Sequence, residues 1–128
     1  MSKKINIFLT ASGEGILRCP GIGSFKCLGK PGYVHYPKTT ISIRPNNSNE
    51  KQRVHFSGEY VDQTGSPYKM EFCLMINSRY GVYIHAGANN LRENGGPSAG
   101  CIHLKREDAQ RVFNWVTEKT LISVKTAW

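Results

Sequence analysis

Ile5, Ile7 and Leu9 recur at every second position, which predicts a strand over residues 5–9. Short strand-like segments follow at 15–18 and 24–28, separated by turns that carry Gly and Pro. At 39–44, Ile41 and Ile43 alternate with polar neighbours, and Pro45-Asn46-Asn47-Ser48-Asn49 closes the run. Segments 54–56 and 59–61 are weaker strand candidates. Residues 69–76 form an apolar run suited to an interior strand, and 81–85 follows the turn Asn77-Ser78-Arg79-Tyr80. Only 106–118 has helical period: Ala109, Val112, Phe113 and Val116 fall at i, i+3, i+4 and i+7. Glu107 and Asp108 sit in its first turn, where they complement the helix dipole. Residues 121–124 return to strand. A mainly β chain with one late helix predicts a sandwich or barrel.

The length, 128 residues, suits a single domain spanning 1–128. With 39% hydrophobic and 20% charged residues, the composition excludes a disordered chain. No apolar run approaches the roughly 18–20 residues of a membrane-spanning helix, so membrane insertion is not expected. The start, Met1-Ser2-Lys3-Lys4 before a short apolar stretch interrupted by Asn6, lacks a small-x-small cleavage site before Gly13 and Glu14. It reads as a first strand rather than a leader.

Seventeen Lys and Arg against nine Asp and Glu leave a net charge of +8, which favours anionic partners such as an acidic cell-wall polymer. The basic residues are scattered, with no tract of the kind that forms a nucleic-acid arm, so no nucleic acid is expected as partner. Of the four cysteines, Cys19 and Cys27 flank Pro20-Gly21-Ile22-Gly23 and could face each other across a hairpin. An oxidising compartment would permit a disulfide there, and two free thiols are the alternative. Cys73, within Phe72-Cys73-Leu74-Met75-Ile76, is most simply a core residue. No CxxC spacing suggests zinc.

Cys101 stands apart. It ends the aperiodic stretch 86–97 and Ser98-Ala99-Gly100, the kind of long loop where chemistry concentrates. His85 lies at the predicted end of a strand. An imidazole that takes a thiol's proton makes it a strong nucleophile. Small residues beside it, Ala99 and Gly100, would admit a substrate carbonyl and leave backbone N–H groups for an oxyanion hole. From residue types alone, a buried Cys and an ordinarily bonded His remain the alternative. His35 and His55 read as surface histidines. The tyrosines 33, 36, 60, 68, 80 and 83 could form a sugar-stacking face or simply populate strands. Trp115 and Trp128 could cover neighbouring elements or meet a partner.

His85, residues 86–97, then Ser98-Ala99-Gly100-Cys101-Ile102 resembles the signature of the YkuD-type L,D-transpeptidases. The apolar 72–76, the approach Gly81-Val82-Tyr83-Ile84-His85, and Leu104 with the helix at 106–118 extend the resemblance over residues 69–118. It implies an L,D-transpeptidase-like β-sandwich with one helix after the catalytic cysteine, and no metal or cofactor. Cys101 would attack the carbonyl of the third stem residue of peptidoglycan, usually diaminopimelate, and expel the terminal D-Ala. Transfer to an amine gives transpeptidation or D-amino-acid exchange; transfer to water gives L,D-carboxypeptidase activity.

The resemblance also implies His85 as general base, with a backbone carbonyl of Ala86 or Gly87 as its partner. Ser98 would brace the loop, Gly100 and Cys101 N–H groups would face the oxyanion, and His103, Tyr83 and Arg92 would contact substrate. Departures are His85-Ala86-Gly87 in place of His-Gly-Thr, Ala99 where His or Lys is common, and His103 where the family carries Arg. An imidazole there would make substrate grip pH-dependent. A small basic catalytic domain further resembles the L,D-transpeptidase effectors delivered by type VI secretion. That implies synthesis in the cytoplasm, action in a target's periplasm, a cognate immunity protein and a secretion-apparatus partner. The alternatives are a housekeeping periplasmic L,D-transpeptidase and a non-catalytic basic wall- or polyanion-binding module.

Overall fold

A computed structural model describes residues 2–62, 64–87, 91 and 100–128. The N-terminal strands β1 (Lys3–Leu9), β2 (Glu14–Cys19) and β3 (Gly23–Leu28) form an antiparallel meander. Next come β4 (Ile41–Ile43), β5 (Lys51–Val61), β6 (Pro67–Asn77), β7 (Val82–Gly87) and β8 (Ile102–Lys105). Helix α1 (Arg106–Trp115) and β9 (Thr120–Thr126) complete the described elements. All strands join one sheet in the order β4-β9-β1-β2-β3-β8-β7-β6-β5. Pairing is antiparallel except for β1 with β9 and β7 with β8. The mainly β architecture with one helix after Cys101 is the one expected.

The alternation in β1 does what its period dictates: Ile5, Ile7 and Leu9 are buried, while Lys4, Asn6 and Phe8 face out. Ile43 of β4, Leu17 of β2, Ile84 of β7 and Ile122 of β9 share one core with Leu74 of β6. Strands near opposite ends of the sheet order therefore meet, so the sheet coils over itself in the manner of a sandwich. Each fully buried Leu or Ile contributes about 1.5–3 kcal/mol. Helix α1 closes this core over β6, β7 and β8 with Ala109 and Val112.

Several boundaries differ from expectation. The helix stops at Trp115, where Val116 leaves helical geometry at φ −77° and ψ 79° although it stays buried. The chain must turn there because Thr120 begins the parallel pairing with β1. Segments 54–56 and 59–61 are parts of one continuous β5. Strand β8 was not expected: Ile102, His103 and Leu104 are all buried, so no alternation reveals it. All four cysteines are free thiols, which decides between the two states left open for Cys19 and Cys27. The hairpin turns at 20–22, so Cys19 pairs with Gly23 while Cys27 pairs with Gly15, well along the ladder.

Strand β6 serves two layers. Phe72, Leu74 and Ile76 belong to the main core, whereas Met70 and Cys73 form a second buried cluster with Tyr83. The change of face falls at Phe72, whose φ of 55° lies in the left-handed region that non-glycine residues rarely occupy. Compensation comes from the ring's surroundings. Arg53 and Arg106 guanidinium carbons lie 4.0 and 5.2 Å from its centre, and Phe113 meets it edge-on at 5.6 Å.

Candidate active site

The second cluster is the floor of a cavity of about 400 Å³ whose lining includes Cys101, His85, Gly100 and Tyr83. Cys101 immediately precedes β8, and the register Ile84↔Ile102 sets it level with Tyr83 of β7. Gly100 makes that placement feasible. Its φ is 146°, and a Cβ there would come to about 3.0 Å from the Tyr33 ring. The Cys101 Sγ accepts a hydrogen bond from the Tyr83 backbone N–H at 3.4 Å, and its S–H points to the Gly81 carbonyl at 3.9 Å. A backbone donor of this kind fixes where the sulfur sits. Cys19, Cys27 and Cys73, by contrast, are buried, and desolvation pushes each thiol up to about 12. Cys101 is the one partly exposed thiol of the four.

His85 follows Tyr83 by two positions on β7, so both side chains take the same face of the strand. Its ring is 1% exposed. Nδ1–H donates to the Ala86 carbonyl at 2.8 Å, and because a carbonyl can only accept, the proton sits on Nδ1. Nε2 is left as a bare acceptor with no hydrogen-bond partner among the described residues. Desolvation, helped by the neighbouring His103 and His55, pushes His85 down to about 3, against the opposing pull of the Ala86 bond. The resting imidazole is therefore neutral. Of the two carbonyls expected beside it, Ala86 supplies the bond, and Gly87 makes room for His103, whose Cβ would stand 3.0 Å from an added methyl.

The expected substrate contact by His103 is not the arrangement found. Its side chain is fully buried on the same face of the sheet as its register partner His85, and it is not among the described residues lining the cavity. Nδ1–H donates to the Leu91 carbonyl at 2.9 Å, and its ring centre lies 4.7 Å from that of His85. The His85 ring, the Leu91 carbonyl and the close approach at Gly87 surround it. Tyr83 does line the cavity. Ser98 and Arg92 lie outside the described residues.

Three cavity residues escaped the sequence reading. His55 lines the cavity from β5 rather than the outer surface, its Nδ1 3.1 Å from Gln52 Oε1 and its ring 4.8 Å from that of Tyr83. Ser57 shares that face, and Arg79 stands at the rim on the β6–β7 turn. Nothing in the local pattern marks them, because the strand pairing of β5 with β6 alone brings that edge to the site. The tyrosine set was noticed, and Tyr33, Tyr60, Tyr68, Tyr80 and Tyr83 indeed converge on the cavity. The aromatic termini cover neighbours: Trp128 Nε1 donates to the Tyr33 carbonyl at 2.8 Å, and the Lys3 ammonium lies 5.0 Å from the Trp115 ring centre.

Fold and site together describe a coiled β-sheet domain that presents a cysteine and a histidine to one cavity. The L,D-transpeptidase catalytic domain, YkuD, matches residues 12–124, and the chain belongs to that family. Its fold is shared with L,D-transpeptidase 1 of Mycobacterium tuberculosis at a TM-score of 0.62 and 17% identity, over 96% of this chain and 62% of that one. An L,D-transpeptidase from Stackebrandtia nassauensis is similar at 0.64 and 16% identity, over 97% of this chain and 55% of that one. One from Mycobacterium smegmatis gives 0.61 and 16%, over 96% and 59%. The chain thus spans less than two thirds of these structures. No curated protein sequence matches it. Among the described residues no helix is long and apolar enough to cross a membrane.

Proposed function

We propose that the protein is a cysteine-dependent acyl transferase of peptidoglycan, cutting the diaminopimelate–D-Ala bond of tetrapeptide stems. The observation that carries this is the half-buried Cys101 sulfur under the Tyr83 N–H, in one cavity with the bare Nε2 of His85. Cys101 Sγ attacks the carbonyl carbon of the third stem residue while His85 Nε2 takes the thiol proton. The N–H groups of Gly100 and Cys101 are the candidate donors to the tetrahedral oxyanion. As the C–N bond breaks, His85 returns the proton to the departing D-Ala amine. The thioester then passes to an amine, giving a cross-link or an exchanged D-amino acid, or to water, giving the tripeptide.

The depressed basicity of His85 adds a detail. An imidazole held down to about 3 resists standing as imidazolium beside a thiolate, so proton transfer accompanies attack rather than preceding it.

The decisive experiment is mass spectrometry of purified disaccharide tetrapeptide incubated with the protein, with and without a free D-amino acid, beside Cys101→Ala. Loss of D-Ala, a new mass at position four, or dimers, each absent in the variant, would establish the chemistry and identify the acceptor. An intact substrate across pH 5–8 with folded protein would overturn it in favour of a wall- or polyanion-binding module. Action in the periplasm, where such stems are exposed, follows from the substrate. An antibacterial role is tested by expressing the chain in a bacterium with and without an added export leader, where only the exported form should lyse cells.

A further inference from the structure

We infer that Arg79 is the specificity-determining residue of this site, its guanidinium taking, at the cavity rim, one of the two donor carboxylates nearest the bond to be cut, that of the terminal D-Ala or that of the diaminopimelate side chain. The inference rests on the acyl-transfer reading above and adds to it which group of the donor is held, and by what.

Arg79 is the only ammonium or guanidinium side chain among the described residues of the cavity lining, and no carboxylate is among them. Other arginines near acidic neighbours are paired: Arg44 with Glu50, and Arg53 and Arg106 with Glu71. Arg79 has no such partner among the described residues. Its side-chain neighbour among the described residues is instead the Tyr80 ring, whose centre lies 5.4 Å from the guanidinium carbon. Contact with a ring face leaves the N–H fork open, and a planar fork is the geometry that grips a carboxylate through two hydrogen bonds.

The turn that carries Arg79 is fixed in place. Asn77 Oδ1 accepts the Arg79 backbone N–H at 3.1 Å and that of Tyr80 at 3.4 Å, while Asn77 Nδ2 donates to the His35 carbonyl at 2.8 Å. Tyr80 stacks on His35 with ring centres 3.6 Å apart and planes 12° from parallel. A guanidinium on a fixed turn loses less freedom on binding than one on a mobile segment. The same turn ends at Gly81, whose carbonyl lies 3.9 Å from Cys101 Sγ, so Arg79 is two residues from a direct neighbour of the nucleophile.

A tetrapeptide stem places two carboxylates close to the bond to be cut. One is the D-Ala terminus, on the leaving group; the other is on the diaminopimelate side chain, on the acyl group. Either would meet the guanidinium, and amidation of each in turn separates them.

The test compares wild type, Arg79→Gln and Arg79→Lys on three donors: the tetrapeptide, its D-Ala C-terminal amide, and the tetrapeptide amidated on the diaminopimelate side chain. Arg79→Gln should raise KM for the tetrapeptide about tenfold or more, the scale of one charge-assisted contact, with kcat little changed and Arg79→Lys intermediate. That penalty should vanish on the one amidated donor that lacks the carboxylate in question. Iodoacetamide alkylation of Cys101 should be unaffected, which separates lost grip from a disturbed nucleophile. A wild-type KM in Arg79→Gln, or a penalty that persists on both amidated donors, overturns the inference. Tetrapeptide binding to Cys101→Ala, with and without Arg79→Gln, keeps the two readings apart. Binding that weakens with Arg79→Gln while wild type turns over none of the donors sinks the acyl-transfer reading and leaves the carboxylate contact standing.

Discussion

Strands β1 and β7 make the instructive comparison. In β1, every second side chain is in the core and the others face solvent. In β7, Val82, Tyr83, Ile84 and His85 are all buried, because the core covers one face and the cavity floor the other. A strand covered on both faces can hold a reactive group out of water and fix its tautomer, which a half-solvated strand cannot. The cost is a polar ring taken from water, as His85 and His103 both illustrate. Regular alternation on the β1 side stabilises the domain; irregularity on the β7 side places Tyr83 and His85 at the cavity.

The sharpest way to break that comparison is a pair of substitutions, one on each side. Cys101→Ala should abolish turnover of tetrapeptide, since no other described thiol lines the cavity, while moving the thermal midpoint little. Leu17→Ala on β2, fully buried, should cost about 2–5 kcal/mol yet leave kcat per folded molecule unchanged. Thermal melts and turnover on the same preparations check both. A large stability loss in the first, or lost kcat in folded protein in the second, would mean that the two sides are not separable in this way.

His85→Gln should lower kcat by about 10²–10⁴-fold and at the same time flatten the acid sensitivity of the fold. The unfolded imidazole binds a proton near its ordinary value of 6.5, whereas the folded one, desolvated, does so only at about 3. Below pH 6.5 the unfolded state therefore takes up the extra proton, and stability present above that pH is lost progressively as pH falls toward 3. The variant lacks this term. Urea midpoints from pH 7 to pH 4 should decline less steeply in His85→Gln than in wild type, and parallel declines would refute the assignment.

His103→Ala should follow in size, lowering kcat more than it raises KM. It removes the donor to the Leu91 carbonyl and the ring packed 4.7 Å from His85, without touching the cavity. A variant that changed KM alone would restore the direct substrate contact expected from the sequence.

Legibility followed the same divide. The meander and β9 were readable because period two survives in Ile5, Ile7 and Leu9 and in the run 121–124. The spacing of Cys101 and His85 around the aperiodic segment singled out two residues that line the same cavity. Strand β8 was not readable, since it is short and buried on both faces. The place of His103 was equally hidden: its position after the cysteine suggests a substrate contact, whereas its ring packs against His85 and bonds the Leu91 carbonyl. His55 and Arg79 reach the cavity through the sheet order and the β6–β7 turn, which no local pattern encodes.

The smallest effect belongs to the edge where β5, β6 and α1 meet. Glu71 accepts from Arg53 at 2.9 Å and from Arg106 at 3.2 Å, and the Arg106 and Arg53 hydrogen bonds hold its carboxyl down to about 2. Both arginine side chains are about half exposed, 51% and 52%, so solvent screens the pairs and their worth is about 1 kcal/mol or less. A carboxyl held low contributes stability that is present above its ordinary value of 4.5 and is lost as pH falls toward 2. Glu71→Gln should therefore be slightly less stable than wild type at pH 7, with the gap closing as the pH is lowered through that window. The same two guanidinium groups flank the Phe72 ring. If Glu71→Gln instead cost several kcal/mol at neutral pH, the carboxylate would be holding those arginines over Phe72, and the left-handed turn of β6 that divides core from cavity floor would depend on it.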